Sequence, residues 1–237
     1  MQIDRRTLML GGSLMTWAGI HAKPAGAAAS PVVLELFTSQ GCSSCPPADV
    51  LLGELGGRDN VIALAWHVDY WNNLGWRDPF ARREWTDRQR AYAQALREEV
   101  YTPALVINGA SMVVGSDRSA VDRALRQAEP MQVAVALRQG DGHLHGGGLE
   151  ADIGPMPGRM TLLLAIYDPE RAIDVSAGEN SGRKLREYHV VRDAVMQDAV
   201  TGRLMLPNIR PGQWAALLIQ DEYRRIRGAA ALKAPPS

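Results

Sequence analysis

The apolar positions change their period several times along the chain, and each period names an element. Residues 31–37 (PVVLELF) form a short apolar run of strand type. Between Pro46 and Leu55, Ala48, Leu51, Leu52 and Leu55 recur at helical spacing, and Gly56-Gly57 stop the helix. Residues 61–68 (VIALAWHV) are continuously apolar, as suits a strand covered on both faces. Asp78-Pro79 supply an N-cap and a first helical residue; Ala81, Trp85, Tyr92 and Leu96 then fall on one stripe. Ala104–Asn108 and Ser111–Val114 flank Asn108-Gly109-Ala110, a hairpin signal. Asp117 caps a further helix that turns Ala120, Val121, Ala124, Leu125 and Ala128 inward. A βαβ half followed by a ββα half predicts a mixed sheet with helices on both faces.

Beyond Glu129-Pro130 the texture becomes all strand. Met131–Leu137, Met160–Tyr167, Glu187–Val195, Trp214–Gln220 and Arg225–Ala231 read as strands, separated by Gly146-Gly147-Gly148, by residues 154–158 (GPMPG) and by Pro211-Gly212. Repeated strands with such turns suggest a small antiparallel sandwich with its own core. The expected fold class is therefore α/β: a βαβ-ββα domain over 30–129, then a small antiparallel β-sandwich-like domain over 130–237. The tail from Lys233 to Ser237 is expected to fray.

Residues 1–29 read as an address. Arg5-Arg6 precede a moderately apolar run, Thr7 to Ile20, and the small residues Ala25-Gly26-Ala27-Ala28-Ala29 follow. These are the charged, apolar and cleavage regions of a secretory signal. The paired arginines, with Lys23, point to the twin-arginine route. The apolar run falls short of the ~20 residues that span a bilayer; an uncleaved amphipathic anchor is the alternative. The protein is thus expected to be periplasmic or otherwise exported, with its thiols in an oxidising compartment.

Charge and cysteine content narrow the classes. Lys plus Arg and Asp plus Glu are both 26, so the formal net charge is zero. Such a chain carries no electrostatic footprint for nucleic acid, or for a membrane once the signal is removed. The only cysteines are Cys42 and Cys45, which excludes a disulfide-stapled scaffold and a four-thiolate metal site. No glycine-rich phosphate loop is present, so no organic cofactor is expected.

The cysteines stand in Gly41-Cys42-Ser43-Ser44-Cys45-Pro46-Pro47, after the first strand and at the opening of the first helix. C-x-x-C at that place is a thioredoxin-type redox signature. At a helix N-terminus, unpaired amides and the macrodipole favour a thiolate at Cys42, which becomes the attacking sulfur. Cys45, one turn inside, resolves the mixed disulfide. The expected partner is a protein or small-molecule disulfide or thiol. Thr102-Pro103 opens the hairpin strand. Together these features resemble the thioredoxin superfamily. The resemblance implies a cis Pro103 facing the cysteines, with Thr102 offering an edge to an extended substrate.

Four segments narrow the match: residues 34–49 (LELFTSQGCSSCPPAD), 65–83 (AWHVDYWNNLGWRDPFARR), 101–110 (YTPALVINGA) and 178–193 (GENSGRKLREYHVVRD). They are similar to the DUF1223 family. That resemblance implies an exported bacterial protein with a thioredoxin-like domain and a C-terminal β-domain. Two departures from ordinary thioredoxins stand out. The inner dipeptide is Ser43-Ser44, and the usual buried acid of the first strand has only an offset candidate, Glu35.

Each feature also has a plainer meaning. The cysteines can form a structural bridge in a non-catalytic binding or assembly protein, or hold Cu(I) with His67. His67, Asp69, Tyr70, Trp71 and Trp76 follow a strand end, where α/β sheets place ligands. His67 and Trp71 would face the substrate there, and Asp69 would tune the thiolate; equally, the aromatics can pack the domains together. Glu35 is either a buried proton acceptor for Cys45 or a polar strand residue. Asp78 reads as a cap. His143 and His145 alternate as a metal pair would, or sit solvated in a glycine-rich turn. Residues 179–184 (ENSGRK) either cover the cysteine site or connect two strands.

Overall fold

The computed structural model describes residues 30–140 and 148–233. The proposed leader, His143, His145 and residues 234–237 lie outside them. Among the described residues the first half runs β1 (Val32–Thr38), α1 (Pro46–Gly56), β2 (Val61–His67), α2 (Arg83–Leu96), β3 (Ala104–Ile107), β4 (Ser111–Val114) and α3 (Arg118–Gln127). This is the expected βαβ-ββα order. β1 pairs parallel with β2 and antiparallel with β3, which continues into the β3–β4 hairpin.

Strand alternation decides what each helix covers. Val33 and Phe37 pack with Trp85 and Tyr92 of α2, whereas Leu34 and Leu36 pack with Ala48, Leu51, Leu52 and Leu55 of α1. Asp117 caps α3 as expected, accepting from the N–H groups of Ser119 and Ala120. Asp78 does not cap α2. That helix starts at Arg83 behind an extended Arg82, and the Asp78 carboxylate is drawn into the interior by His67.

The second half comprises β5 (Val135–Gln139), β6 (Leu149–Ile153), β7 (Thr161–Asp174), β8 (Lys184–Asp198), β9 (Gly202–Leu206), β10 (Trp214–Gln220) and β11 (Ile226–Leu232). The expected sandwich is present in a modified form, because one of its layers is shared. β8 joins β2 in parallel at Ala65 and Val190, giving one eight-stranded sheet in the order β11-β10-β7-β8-β2-β1-β3-β4. The reason lies in β2, whose seven residues are all buried. At a sheet edge so apolar a strand would lie open to solvent, and β8 closes that edge, pairing with it at Ala65 and Val190. The separate sheet β5-β6-β9 packs on β7 and β10 through Leu149, Ala151, Leu162, Leu164, Ala215 and Leu217.

Two glycines of α1 let β8 approach. A Cβ on Gly53 would lie 2.6 Å from the Tyr188 ring, and one on Gly56 would lie 2.1 Å from His189 Nε2. Gly56 thus serves packing and lies inside the helix, while Gly57 is the C-cap. β7 and β8 run on as a ribbon beyond the last β7–β10 pair at Tyr167. The ribbon carries the connection 175–183 to the cysteine end of β1.

Candidate functional site

β1 ends at Thr38, and a turn follows in which the Cys42 N–H donates to Ser39 O at 3.1 Å. Cys42 and Cys45 are joined as a disulfide, their Cα atoms 5.4 Å apart. Cys45 is the N-cap of α1, and Pro46 and Pro47 form its first turn, where absent N–H groups cost little. Cys42 therefore lies one turn ahead of the helix, and Cys45 at its mouth rather than inside it. Gly41 admits the neighbouring loop: a Cβ there would come within 3.0 Å of the Trp71 Cβ. Both cysteines are 0% exposed.

The connection 175–183 covers this turn, the first of the two readings given to residues 179–184. Asn180 is wholly buried, and its Nδ2 donates to the carbonyls of Gln40 and Cys42, each at 2.9 Å. Arg183 holds the other end of that amide by donating to Oδ1 at 2.7 Å. The Glu179 carboxylate accepts from the Ser43 N–H at 3.0 Å, and this bonding to Ser43 lowers its pKa. The Trp71 indole donates to Thr102 Oγ1 at 2.9 Å, and the Trp76 indole to Gln40 Oε1 at 2.8 Å. The Thr102-Pro103 bond is cis.

At the same end of the sheet lies a buried cluster of four titratable groups. His67 Nδ1 and Asp78 Oδ2 are 2.7 Å apart, with both side chains unexposed. Asp78 also accepts from the Gln40 N–H at 2.9 Å. Gln40 Nε2 donates to Glu187 Oε2 at 3.0 Å, and Thr38 Oγ1 donates to Asp49 Oδ2 at 3.2 Å. Burial, then the charge of Glu187, pushes the Asp49 carboxyl up to about 8. Burial alone would depress His67, but Asp78 and then Glu187 outweigh it and carry the imidazole to about 9. Burial opposes ionisation of Asp78 as well; the His67 charge prevails and lowers its pKa. Asp49 and His67 thus both hold protons at neutral pH. His67 Nε2 and Asp49 Oδ1 are buried with no hydrogen-bond partner among the described residues.

The expected site residues divide. Cys42, Cys45, Trp71, Thr102 and Pro103 meet at one end of the sheet. His67 lies beneath the turn at 0% exposure and presents no surface to a substrate. Its Nδ1 is committed to Asp78, and no group of three or more His, Cys, Asp or Glu side chains among the described residues is arranged to hold a metal ion. Asp69 accepts from Thr86 Oγ1 at 2.6 Å, tying its loop to α2. Glu35 lies on the α2 face, in a two-pronged pair with Arg88 at 2.6 and 2.9 Å and bonded to the Tyr92 hydroxyl. The buried acid on the α1 side of the sheet, toward the cysteine turn, is instead Asp49. Gln40, Asp49 and Glu187 were missed, and Asn180 was read only as part of the 179–184 stretch. Asp49 carried a sequence signal, since it sits one turn after Cys45 on a helix whose neighbouring Ala48 and Leu52 face the core.

Comparison with known proteins places this arrangement. No curated protein matches the chain. The crystal structure of a protein from Agrobacterium tumefaciens is 32% identical, with a TM-score of 0.74, covering 89% of this chain and 97% of that one. HBP35 of Porphyromonas gingivalis shares the fold at 13% identity and a TM-score of 0.59, over 90% of this chain and 78% of that one. A family model described as "Protein of unknown function (DUF1223)" matches residues 33–217, from β1 into β10, and the chain belongs to that family.

Proposed function

We propose that this is an exported thiol–disulfide oxidoreductase built on a thioredoxin-like half, exchanging disulfides with a protein or small-thiol partner. In the reducing direction, the Cys42 thiolate attacks a partner disulfide. A mixed disulfide forms, and one partner sulfur leaves and takes a proton. Cys45 then loses its proton and attacks Cys42 Sγ, releasing the second partner thiol and closing Cys42–Cys45. The partner gains two electrons and two protons, and the protein dithiol loses them; the oxidising direction is the reverse. Asp49, one turn after Cys45, is the group suited to exchange a proton with it: its carboxylate, formed as pH rises through about 8, takes the Cys45 proton in this direction, and its protonated carboxyl returns one in the reverse. Because both sulfurs are covered in the disulfide form, the reading requires Glu179 and Asn180 to release the turn before attack.

The single observation that carries this reading is the seat of the disulfide. It lies between a strand end and a helix mouth, at the end of the sheet where two buried groups hold protons near neutral pH. A staple has no use for those groups, and closing so short a loop gains little chain entropy. A Cys45→Ser variant with an oxidised glutathione-type disulfide tests it. The expected product is a mixed disulfide on Cys42, found by intact-protein mass and peptide mapping. Absence of that adduct from the variant, with Cys42 free and alkylated only after unfolding, contradicts it.

Complete burial of both cysteines favours a second reading, a binding or assembly protein with a permanent bridge. That reading expects Cys42→Ser to cost substantial stability, whereas exchange expects only a small change. The exported location rests on the leader sequence, and a mature N-terminus near Ser30 is its test.

A further inference from the structure

A second polar site lies across the Phe80 ring from the cluster, on the outer side of the β7–β8 ribbon. Phe80 meets the His67 ring edge-on at 5.4 Å, and the Arg192 guanidinium stacks on Phe80 at 4.6 Å. Beyond it opens a cavity of about 560 Å³ lined by Arg82, Arg171, Arg192 and Arg210. These four come from four separate stretches: the lead into α2, the ribbon, β8 and the loop before β10.

The arginines are arranged around Asp168, whose residue is 1% exposed. Its Oδ2 accepts from Arg171 Nε at 2.7 Å and from Arg192 at 2.9 Å, while Gln213 Nε2 donates to Oδ1 at 3.3 Å. One carboxylate thus fixes two guanidiniums, leaving their remaining N–H groups free to turn toward the cavity. Asp193, outside the lining, makes only a loose 3.8 Å contact with Arg82. The Arg210 side chain has no hydrogen bond or ion pair among the described residues. Four cations against these two acids leave a net positive cavity in a chain whose formal net charge is zero.

We propose that this cavity is a binding site for a small oxyanion carrying two or more negative charges, of the organic phosphate or polycarboxylate class. Guanidinium is the side chain suited to such a ligand, because its planar fork donates two parallel N–H bonds to one phosphate or carboxylate group. Arg171 and Arg192, held by Asp168, are the preorganised half of the site; Arg210 and Arg82 close on the ligand.

Titration of the full chain with pyrophosphate and with citrate, at low ionic strength and against sodium chloride of matched ionic strength, tests this. The expected result is saturable binding at one site with either probe, accompanied by a rise in Tm. Arg210→Ala, an exposed and unpaired position, should weaken binding by about tenfold, and Arg171→Ala by at least as much. Arg159→Ala, whose ion pair with Asp198 is exposed and elsewhere, should leave it unchanged. Tighter binding of pyrophosphate assigns a phosphate ligand, and tighter binding of citrate a polycarboxylate. No saturable binding of either probe at millimolar concentration overturns the proposal. So does binding that survives both Arg210→Ala and Arg171→Ala.

Discussion

Two buried charge clusters lie on opposite faces of the central sheet, and they differ in how completely they are satisfied. On the α2 face, Glu35, Arg88, Tyr92 and Gln220 form a closed network. Arg88 bonds Glu35 twice and reaches the Tyr92 hydroxyl at 2.9 Å, and it stacks on Trp66 at 5.2 Å. Gln220 Nε2 donates to the same hydroxyl at 2.8 Å. Burial opposes the Arg88 cation, but Glu35 raises its pKa further above the ordinary arginine value. On the α1 face, near the disulfide, Asp49 and His67 each keep a buried atom without a partner among the described residues, and their pKa values are raised to about 8 and about 9. A saturated network holds two layers together, whereas an incomplete one retains protons it can exchange.

Breaking the saturated cluster should have the largest effect. Arg88→Met strands the Glu35 charge in the core and should cost on the order of 3–5 kcal/mol, read as a fall in the denaturant midpoint. The α1 cluster should instead make stability depend on pH. His67 is raised from 6.5 to about 9, so its contribution is complete below 6.5 and is lost as pH climbs to 9. Asp49, raised from 3.8 to about 8, has the same sign over 3.8 to 8, because the native state again binds the extra proton. Unfolding free energy should therefore fall between pH 6.5 and 9, by on the order of 3 kcal/mol from His67 alone. A flat profile across that window would show that the two clusters do not differ as described.

Smaller effects sharpen the contrast. Asp49→Asn keeps the shape and removes the titration, so the rate of disulfide exchange should lose its inflection near pH 8 while stability shifts by about 1 kcal/mol. The matching change Glu35→Gln should cost more stability and leave that pH profile in place. Asn180→Ala removes two bonds holding the cover and should cost about 1 kcal/mol. It should also raise the rate of reduction by dithiothreitol about tenfold. An unchanged rate would mean that the cover does not control access.

Much of this was legible in the sequence. The βαβ-ββα order followed from periodicity, and the cysteine turn and Thr102-Pro103 from their place beside it. The face of Glu35 was also legible: it alternates with Val33 and Phe37, and Arg88 and Tyr92 stand four apart on one helix. That pattern is the signal that could have decided between the two readings of Glu35, which were left open. Asp78 and Asp49 were harder, because a short acid next to proline or in a first helical turn fits capping and helix-dipole roles equally well. β6 and β9 were missed, being five residues each and, in β9, buried at one position only. Glu187 was not legible as a site residue, and for Asn180 the 179–184 stretch read equally as a cover or as a plain connection. They reach the site only because β8 closes the edge of β2, a long-range pairing that local pattern does not encode.

The account depends most on whether the Cys42–Cys45 bridge can open and close under physiological poise. The direct measurement is its reduction potential, obtained by equilibrating the folded protein with dithiothreitol or glutathione buffers and counting alkylated thiols by mass. The account expects a value within the roughly −270 to −120 mV spanned by dithiol oxidoreductases. A bridge that stays oxidised below about −300 mV, the range of structural disulfides, would contradict it.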